Sequence, residues 1–380
     1  MMRINMRQNA GDRSDEFAIW RSAMHRQQIS SPLRISRRRF VSGALSVAAA
    51  LPALGRPGMA QSNQVNVYNW DTYIGETTLE DFTDATGIAV RYDLYANNDE
   101  LFAKLREGNP GYDVIFPTND YVERMIVADM LLPLDHGKIP NLGNVDPAFA
   151  DPAFDPGLQH SAPYFWGTVG IGYRASAAEP KALADLFEGD AFAGRIALLN
   201  SVDSIMVALK YLGHSLNTKD PAQIAQAGDA LIQIKPKIKS FAPDTGQDLL
   251  IAGEVDVCLE YNGDVLQVME EDDDLSYVVP EEGSILWEDS MCIPRGAPNA
   301  DNAHAFINFI LDAPVHGAIA EYIRYPCPNA AAMEFIPEAD RNDPAVYPPR
   351  EVLARCEFAV YKGEEIEGLY QDALTRVLAA

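Results

Sequence analysis

Residues 65–93 read VNVYNWDTYIGETTLEDFTDATGIAVRYD. Val65 to Tyr68 has the pattern of a strand, and Thr78 then caps a helix with Leu79, Phe82 and Ala85 on one side. Gly87 stops that helix, and Ala89 to Asp93 is strand-like again. Strand, helix and strand in this order form the repeating unit of a parallel sheet covered by helices. The alternation continues outward. Asn98 opens a helix carrying Leu101, Phe102 and Leu105, Asp113 to Phe116 is a short buried-strand run, and Tyr121 to Asp129 returns to a helical period.

Asp146 to Gln159, rich in Pro, Asp and Phe, shows no clear period. Beyond it, Arg195 to Leu199 reads as a strand and Val202 to Leu212 as a helix, while Asp220-Pro221 is a cap with proline at the first helical position. Glu254 to Glu260 is strand-like and Gly263 to Glu270 helical. Tyr277 to Pro280 and Ser290 to Pro294 read as short strands. Pro298 starts a helix with Phe306, Ile307 and Ile310, and the chain ends in an amphipathic helix with Ile366, Leu369, Tyr370, Leu374 and Val377. There is no internal repeat. A chain of 380 residues has room for two α/β domains with a cleft between them.

The first 60 residues differ in character. Arg37-Arg38-Arg39-Phe40-Val41, preceded by Ser36, leads into a small and apolar stretch from Ser42 to Leu54 and then Gly58-Met59-Ala60. Basic, apolar and small segments in that order form a signal peptide, too short in its apolar part to span a membrane. The paired arginines resemble a twin-arginine signal, with a Sec signal as the other route, and cleavage is expected near Ala60 and Gln61. Met24 offers a second start. The whole chain carries −25, and without residues 1–60, which hold ten basic and three acidic residues, −32 remains. Such a field repels nucleic acid and anionic membrane and concentrates small cations.

Several chemistries are excluded. The six histidines, at 25, 136, 160, 214, 304 and 316, have no metal-ligand spacing, and neither a metal nor a cofactor is expected. The acidic run Glu270 to Asp274 lacks the spacing of a calcium loop and reads as a solvated surface turn. Gly170-Ile171-Gly172-Tyr173-Arg174-Ala175 matches a dinucleotide fingerprint in form, but Pro180 follows where a phosphate-binding helix would have to run. No nucleophile elbow, Walker loop or catalytic Cys-His pattern occurs. Cys258, Cys292, Cys327 and Cys356 permit two disulfides without requiring them.

A coupling of aromatics with carboxylates recurs at strand ends. Tyr68-Asn69-Trp70-Asp71-Thr72-Tyr73 follows the first strand, Asp120-Tyr121 the third, and Asp203 opens the helix after the Arg195 strand. Tyr261-Asn262-Gly263-Asp264 follows another strand, and Trp287-Glu288-Asp289 precedes one. Ligands of open α/β sheets lie beyond the carboxyl ends of strands. One such cluster alone also fits a core aromatic beside a capping acid. Together they suit a di- or triamine, whose ammonium ends need carboxylates and whose methylenes and charge pack on aromatic faces.

The sequence resembles the polyamine-binding proteins of bacterial ABC importers, two-lobed periplasmic binding proteins. The marks are Tyr68-Asn69-Trp70 with Tyr73, Phe82 to Gly87, Tyr112-Asp113 leading to Pro117, Pro163 to Gly167, Leu212-Gly213 with Asn217 to Pro221, Gly283 to Ser290, and Tyr325-Pro326 with Pro328-Asn329. The resemblance implies two type II-like lobes, each a mixed, mainly parallel sheet flanked by helices. One comprises residues 65–165 plus 287–336, the other 166–286 plus 337–380, with the ligand in the cleft. It implies an aromatic box of Trp70, Tyr73, Tyr261, Trp287 and Tyr325, ammonium-binding acids Asp203, Asp264 and Asp289, and Thr118 in the pocket wall. Asp71 and Asp120 join them as departures: Thr72 stands where relatives are acidic, and Asp120 where an aromatic or small residue is usual. Asp264 favours putrescine slightly over spermidine. A Cys327–Cys356 disulfide is also implied. The expected protein is a periplasmic, monomeric, non-enzymatic binder serving importer membrane subunits. The alternatives are an exported carboxylate-dependent glycoside hydrolase and a binder of another small cation.

Overall fold

The structure, a computed structural model, describes residues 63–380. The export signal and its cleavage site lie outside the described residues. The strands are β1 (Gln64–Asn69), β2 (Ala89–Leu94), β3 (Val114–Ile115), β4 (Ser161–Arg174), β5 (Ile196–Leu199), β6 (Ile238–Ala242), β7 (Val257–Tyr261), β8 (Leu275–Val278), β9 (Ile285–Cys292) and β10 (Glu357–Phe358). The helices are α1 (Thr78–Thr86), α2 (Asn98–Arg106), α3 (Asn119–Val127), α4 (Ala184–Phe187), α5 (Asp203–Tyr211), α6 (Pro221–Ile234), α7 (Gly246–Ile251), α8 (Asn262–Met269), α9 (Ala300–Ile310), α10 (Ala313–Ile323), α11 (Glu338–Arg341), α12 (Arg350–Leu353) and α13 (Glu364–Ala379). None of the described helices is long and apolar enough to cross a membrane.

The sheet runs β2-β1-β3-β9-β4-β7-β5-β6, with β10 beside β9 and β8 beside β4. Two parallel trios, β2-β1-β3 and β7-β5-β6, occupy its ends. Antiparallel β9 and β4 join them: Ser161 to Thr168 of β4 pairs with β9, and Val169 to Tyr173 pairs with β7. One fourteen-residue strand therefore belongs to both halves. Its register shifts between Pro163 and Phe165, which spares the proline a ladder hydrogen bond that it cannot donate.

Local sequence explains the outer elements. Phe82 is buried and stacks edge-on against Phe306 and Phe309 at 5.1 and 5.4 Å. Gly87 ends α1 in the left-handed conformation at φ 72°. Ala85, expected on the same inner side as Phe82, is exposed, because one aromatic side chain covers the contact with α9. Asn97 caps α2 by accepting from the Glu100 N–H, and Leu101, Phe102 and Leu105 are buried as their spacing requires. Asp220 accepts from the Ala222 N–H ahead of Pro221, and this cap starts α6. Tyr370, Leu374 and Val377 of α13 are buried, and α13 packs on α6.

Two expectations are corrected, one for β9 and one for the cysteines. Trp287-Glu288-Asp289 lies inside β9 instead of preceding a strand. As the sequence argued, no phosphate-binding helix follows Gly170-Ile171-Gly172: both glycines lie within β4, where a Cβ would come within 2.3 Å of the Tyr277 hydroxyl and 2.8 Å of Val265, so they serve close packing. The acidic run is the surface turn expected of it, tied in place where Arg174 bonds Asp272 and Asp274 at 2.9 and 3.0 Å and Arg324 lies 3.2 Å from Glu270. All four cysteines are free thiols, so Cys327 and Cys356 are not bridged. Cys327 is held by the Tyr347 hydroxyl on its N–H, whereas Cys356 donates to the Val352 carbonyl in the last turn of α12. Each is fixed by its own neighbours.

Candidate functional site

The carboxyl ends of β1, β3, β5 and β7 converge with the face of β9 on one cavity of about 210 Å³. This is below the usual volume of drug-sized pockets and suits a small solute. All eleven residues singled out in the sequence line it: Trp70, Asp71, Tyr73, Thr118, Asp120, Asp203, Tyr261, Asp264, Trp287, Asp289 and Tyr325. Cys327 and Cys356 do not. Tyr121, noted beside Asp120 in the sequence, lines it too, and among the lining residues that the sequence reading did not mark are Asp99 on α2, Asp244 after β6 and Gln371 on α13. Of these only Asp244 had a local signal, since Pro243-Asp244-Thr245-Gly246 has the composition of a turn.

One wall is built by the first trio. Trp70 turns at the end of β1 and its indole N–H donates to the Phe116 carbonyl at 2.9 Å. Tyr73 is buried, edge-on to Tyr164 at 5.1 Å and to Tyr325 at 5.3 Å. Thr118 precedes α3, receives a bond of 2.8 Å from the Asn98 side chain and donates at 2.7 Å to Asp289. Asp120 sits in the first turn of α3, where helix N–H groups favour a carboxylate.

The opposite wall belongs to the second trio. Asp203 begins α5 and accepts from Tyr261 and Ser201, both at 2.9 Å. Asp264, in the first turn of α8, accepts from the Tyr325 hydroxyl at 2.7 Å. Trp287 and Asp289 are two residues apart on β9 and therefore share a face. Trp287 meets Tyr261 edge-on at 5.8 Å and Tyr325 at 5.2 Å. The result is a box of aromatic edges and faces with a carboxylate beside each corner.

The electrostatics are one-sided. Seven aspartates and no Lys, Arg or His line the cavity. Burial pushes Asp289 and Asp120 up to about 7 and Asp244 up to about 6, and raises Asp203 and Asp264 as well. A bond from Thr118 opposes that rise at Asp289, and bonds from Tyr261 and Ser201 oppose it at Asp203. A cation beside them would bring these carboxyls back toward their ordinary range. Two buried polar atoms in the box, the Tyr73 hydroxyl and the Trp287 indole nitrogen, have no hydrogen-bond partner. Asp244, Glu260 and Asp264 have oxygens within 4.8 Å of one another and could reach a common cation.

A family model described as bacterial extracellular solute-binding protein matches residues 77–346. A putrescine-binding periplasmic protein of Pseudomonas aeruginosa is 32% identical over 361 residues, covering 89% of this chain and 97% of that protein. The spermidine/putrescine-binding periplasmic protein of Escherichia coli is 33% identical over 328 residues, 85% of this chain and 92% of the other. The crystal structure of a spermidine/putrescine ABC transporter substrate-binding protein from Streptococcus pneumoniae, 35% identical, superposes with a TM-score of 0.73 over 83% of this chain and 98% of its own. With this two-lobed α/β architecture and a family match over most of its length, the chain belongs to the bacterial extracellular solute-binding proteins.

Proposed function

We propose that the protein captures a polyamine outside the cytoplasm, in the periplasm, and delivers it as a monomer to the membrane subunits of an ABC importer. The observation that carries this reading is the cavity wall itself: seven aspartates, no basic residue, and six aromatic side chains around the space between them. Ammonium ends pair with the carboxylates, and the methylene stem lies against Trp70, Tyr73, Tyr261, Trp287 and Tyr325. The relatives' names point the same way. Putrescine is slightly favoured over spermidine because the acid at Asp264 is, by family resemblance, the putrescine-like choice. The lobes are assigned as 65–165 plus 287–336 and 166–286 plus 337–380, with β4 and β9 running between them.

A solute-binding protein is not an enzyme, and the glycoside hydrolase alternative is not favoured by the family or by any of the relatives. Calorimetric titration with putrescine, cadaverine, spermidine, spermine and agmatine tests the proposal. Saturable one-to-one binding of at least one is expected. If none binds more tightly than millimolar, the polyamine reading is wrong.

A further inference from the structure

We propose that Asp244, Glu260 and Asp264 act as one proton-exchanging cation socket, which holds a shared proton while empty and releases it to solvent when a ligand's ammonium group arrives. The inference rests on the polyamine reading above and adds to it how the site is regulated. Its basis is geometric. Asp244 comes from the loop between β6 and α7, Glu260 from β7 and Asp264 from α8, yet an oxygen of each lies within 4.8 Å of the other two. Asp244 and Asp264 face the cavity, and Glu260 is fully buried behind them.

Three carboxylates this close, Glu260 buried and Asp244 and Asp264 half-buried, repel one another strongly when all are ionised without a counter-charge. Among the described residues none of the three forms an ion pair with Lys, Arg or His, and Asp244 Oδ1 is buried with no hydrogen-bond partner. The backbone brings the group together deliberately. Asp244 holds a left-handed φ of 45°, and Gly246 has no Cβ where one would stand 2.6 Å from Glu260 Oε2, so its N–H can donate to that oxygen at 3.0 Å. Glu260 Oε1 accepts from the Tyr261 N–H at 3.1 Å, and Tyr325 donates to Asp264.

The surrounding titratable groups supply no positive charge. Asp203 of α5, Asp71 after β1 and Asp248 of α7 act on Asp244, and Asp248 also acts on Asp264. The remaining neighbours, Cys258, Tyr261, Tyr277 and Tyr325, are neutral thiols and phenols. Burial raises the socket carboxyls, which agrees with a retained proton. The cation must come from outside, and its arrival ionises the group. The proton leaves through the cavity before the ligand seals it.

Titration of the purified protein with putrescine in phosphate, PIPES and Tris, buffers of different ionisation heat, reads the protons released. On the order of one proton per amine is expected near neutral pH, with affinity rising up to about tenfold per pH unit below pH 8. Glu260→Gln and Asp244→Asn should each cut the release to less than about half. Zero release in a wild-type protein that binds amine overturns the proposal, and so does release unchanged in both variants, which would place the proton on Asp120 or Asp289. If no amine binds at all, the polyamine reading fails and the socket is judged by infrared spectroscopy of the ligand-free protein. A protonated-carboxyl band that weakens in Glu260→Gln or Asp244→Asn supports it, and a band unchanged in both overturns it. Should Glu260→Gln fail to fold, Asp244→Asn carries both readouts.

Discussion

Arg124 on α3 grips Glu364 at the head of α13 through two hydrogen bonds of 2.8 Å each, joining the flank of one half of the sheet to the flank of the other. Around this pair, Gln371 donates to Asp99 at 3.0 Å, the Asn119 side chain donates to the Ala359 carbonyl, and the Tyr361 N–H donates to Glu123. The contacts close the side of the cavity lined by Asp99, Tyr121 and Gln371. Glu364 is well exposed, so the pair is worth only about 0.5–1 kcal/mol. Glu364→Ala should weaken ligand binding by roughly two- to fivefold, mostly through faster dissociation. Stopped-flow kinetics of the single and double variants with Arg124→Ala check this, and additive effects would show that the pair does not couple.

Asp289 carries a sharper expectation. It is buried, and its one protein bond of ordinary geometry comes from the Thr118 hydroxyl. Asp289→Asn should cost about 2–4 kcal/mol of amine binding, roughly thirty- to a thousandfold, because an ammonium would be left in a dry site without its charge partner. Thr118→Val should cost less than about tenfold, since Asp289 keeps its charge. Equal losses in calorimetry would contradict that ranking.

The raised carboxyls also set a direction for stability. Asp120, Asp244, Asp289 and Glu288 sit at about 7, 6, 7 and 8 in the folded protein because burial disfavours their charge. The unfolded chain releases those protons near pH 4, so between about pH 4 and 8 the folded state holds more protons, and stability falls as pH rises. Ligand-free protein should melt a few degrees higher at pH 5.5 than at pH 8. Asp289→Asn should flatten the slope. Scanning calorimetry at constant ionic strength reads both, and a melting point that climbs toward pH 8 would refute the assignment.

Gly263 tests the aromatic box without touching a charge. A Cβ there would lie 2.4 Å from the Tyr325 ring. Gly263→Ala should cost about 1–3 kcal/mol by overpacking and should weaken binding by displacing Tyr325 from Asp264. Gly194→Ala, at φ 78° with nothing near its Cβ, should cost about 1 kcal/mol of stability and leave affinity unchanged.

Much of this site was legible because aromatic and acidic residues cluster at strand ends, and strand ends are where a cleft collects them. Tyr68 to Tyr73 and Tyr261 to Asp264 announce themselves in that way. What stayed hidden depended on contacts distant in sequence. β4 carries Pro163, Gly167, Gly170 and Gly172, residues that read as strand breakers. In the fold the glycines are required, since a Cβ at Gly167 would strike the Trp287 ring at 2.5 Å. The start of β9 was obscured by Glu288 and Asp289, two acids in a strand that is buried throughout. Asp244 follows β6, whose Ile238-Lys239-Ser240-Phe241 has too little apolar alternation to mark a strand, so the grouping with Glu260 and Asp264 emerges only in three dimensions.

A last consequence belongs to β4. Because this strand is paired along its length with both halves, opening the cleft cannot be a free swing about a flexible joint. Any such movement would have to bend a continuous paired ribbon rather than turn about a loop. At Gly167 and Gly170 that ribbon carries no side chains of its own and is pressed by the Trp287 ring and the Tyr277 hydroxyl, so its curvature there is tied to the packing of the box.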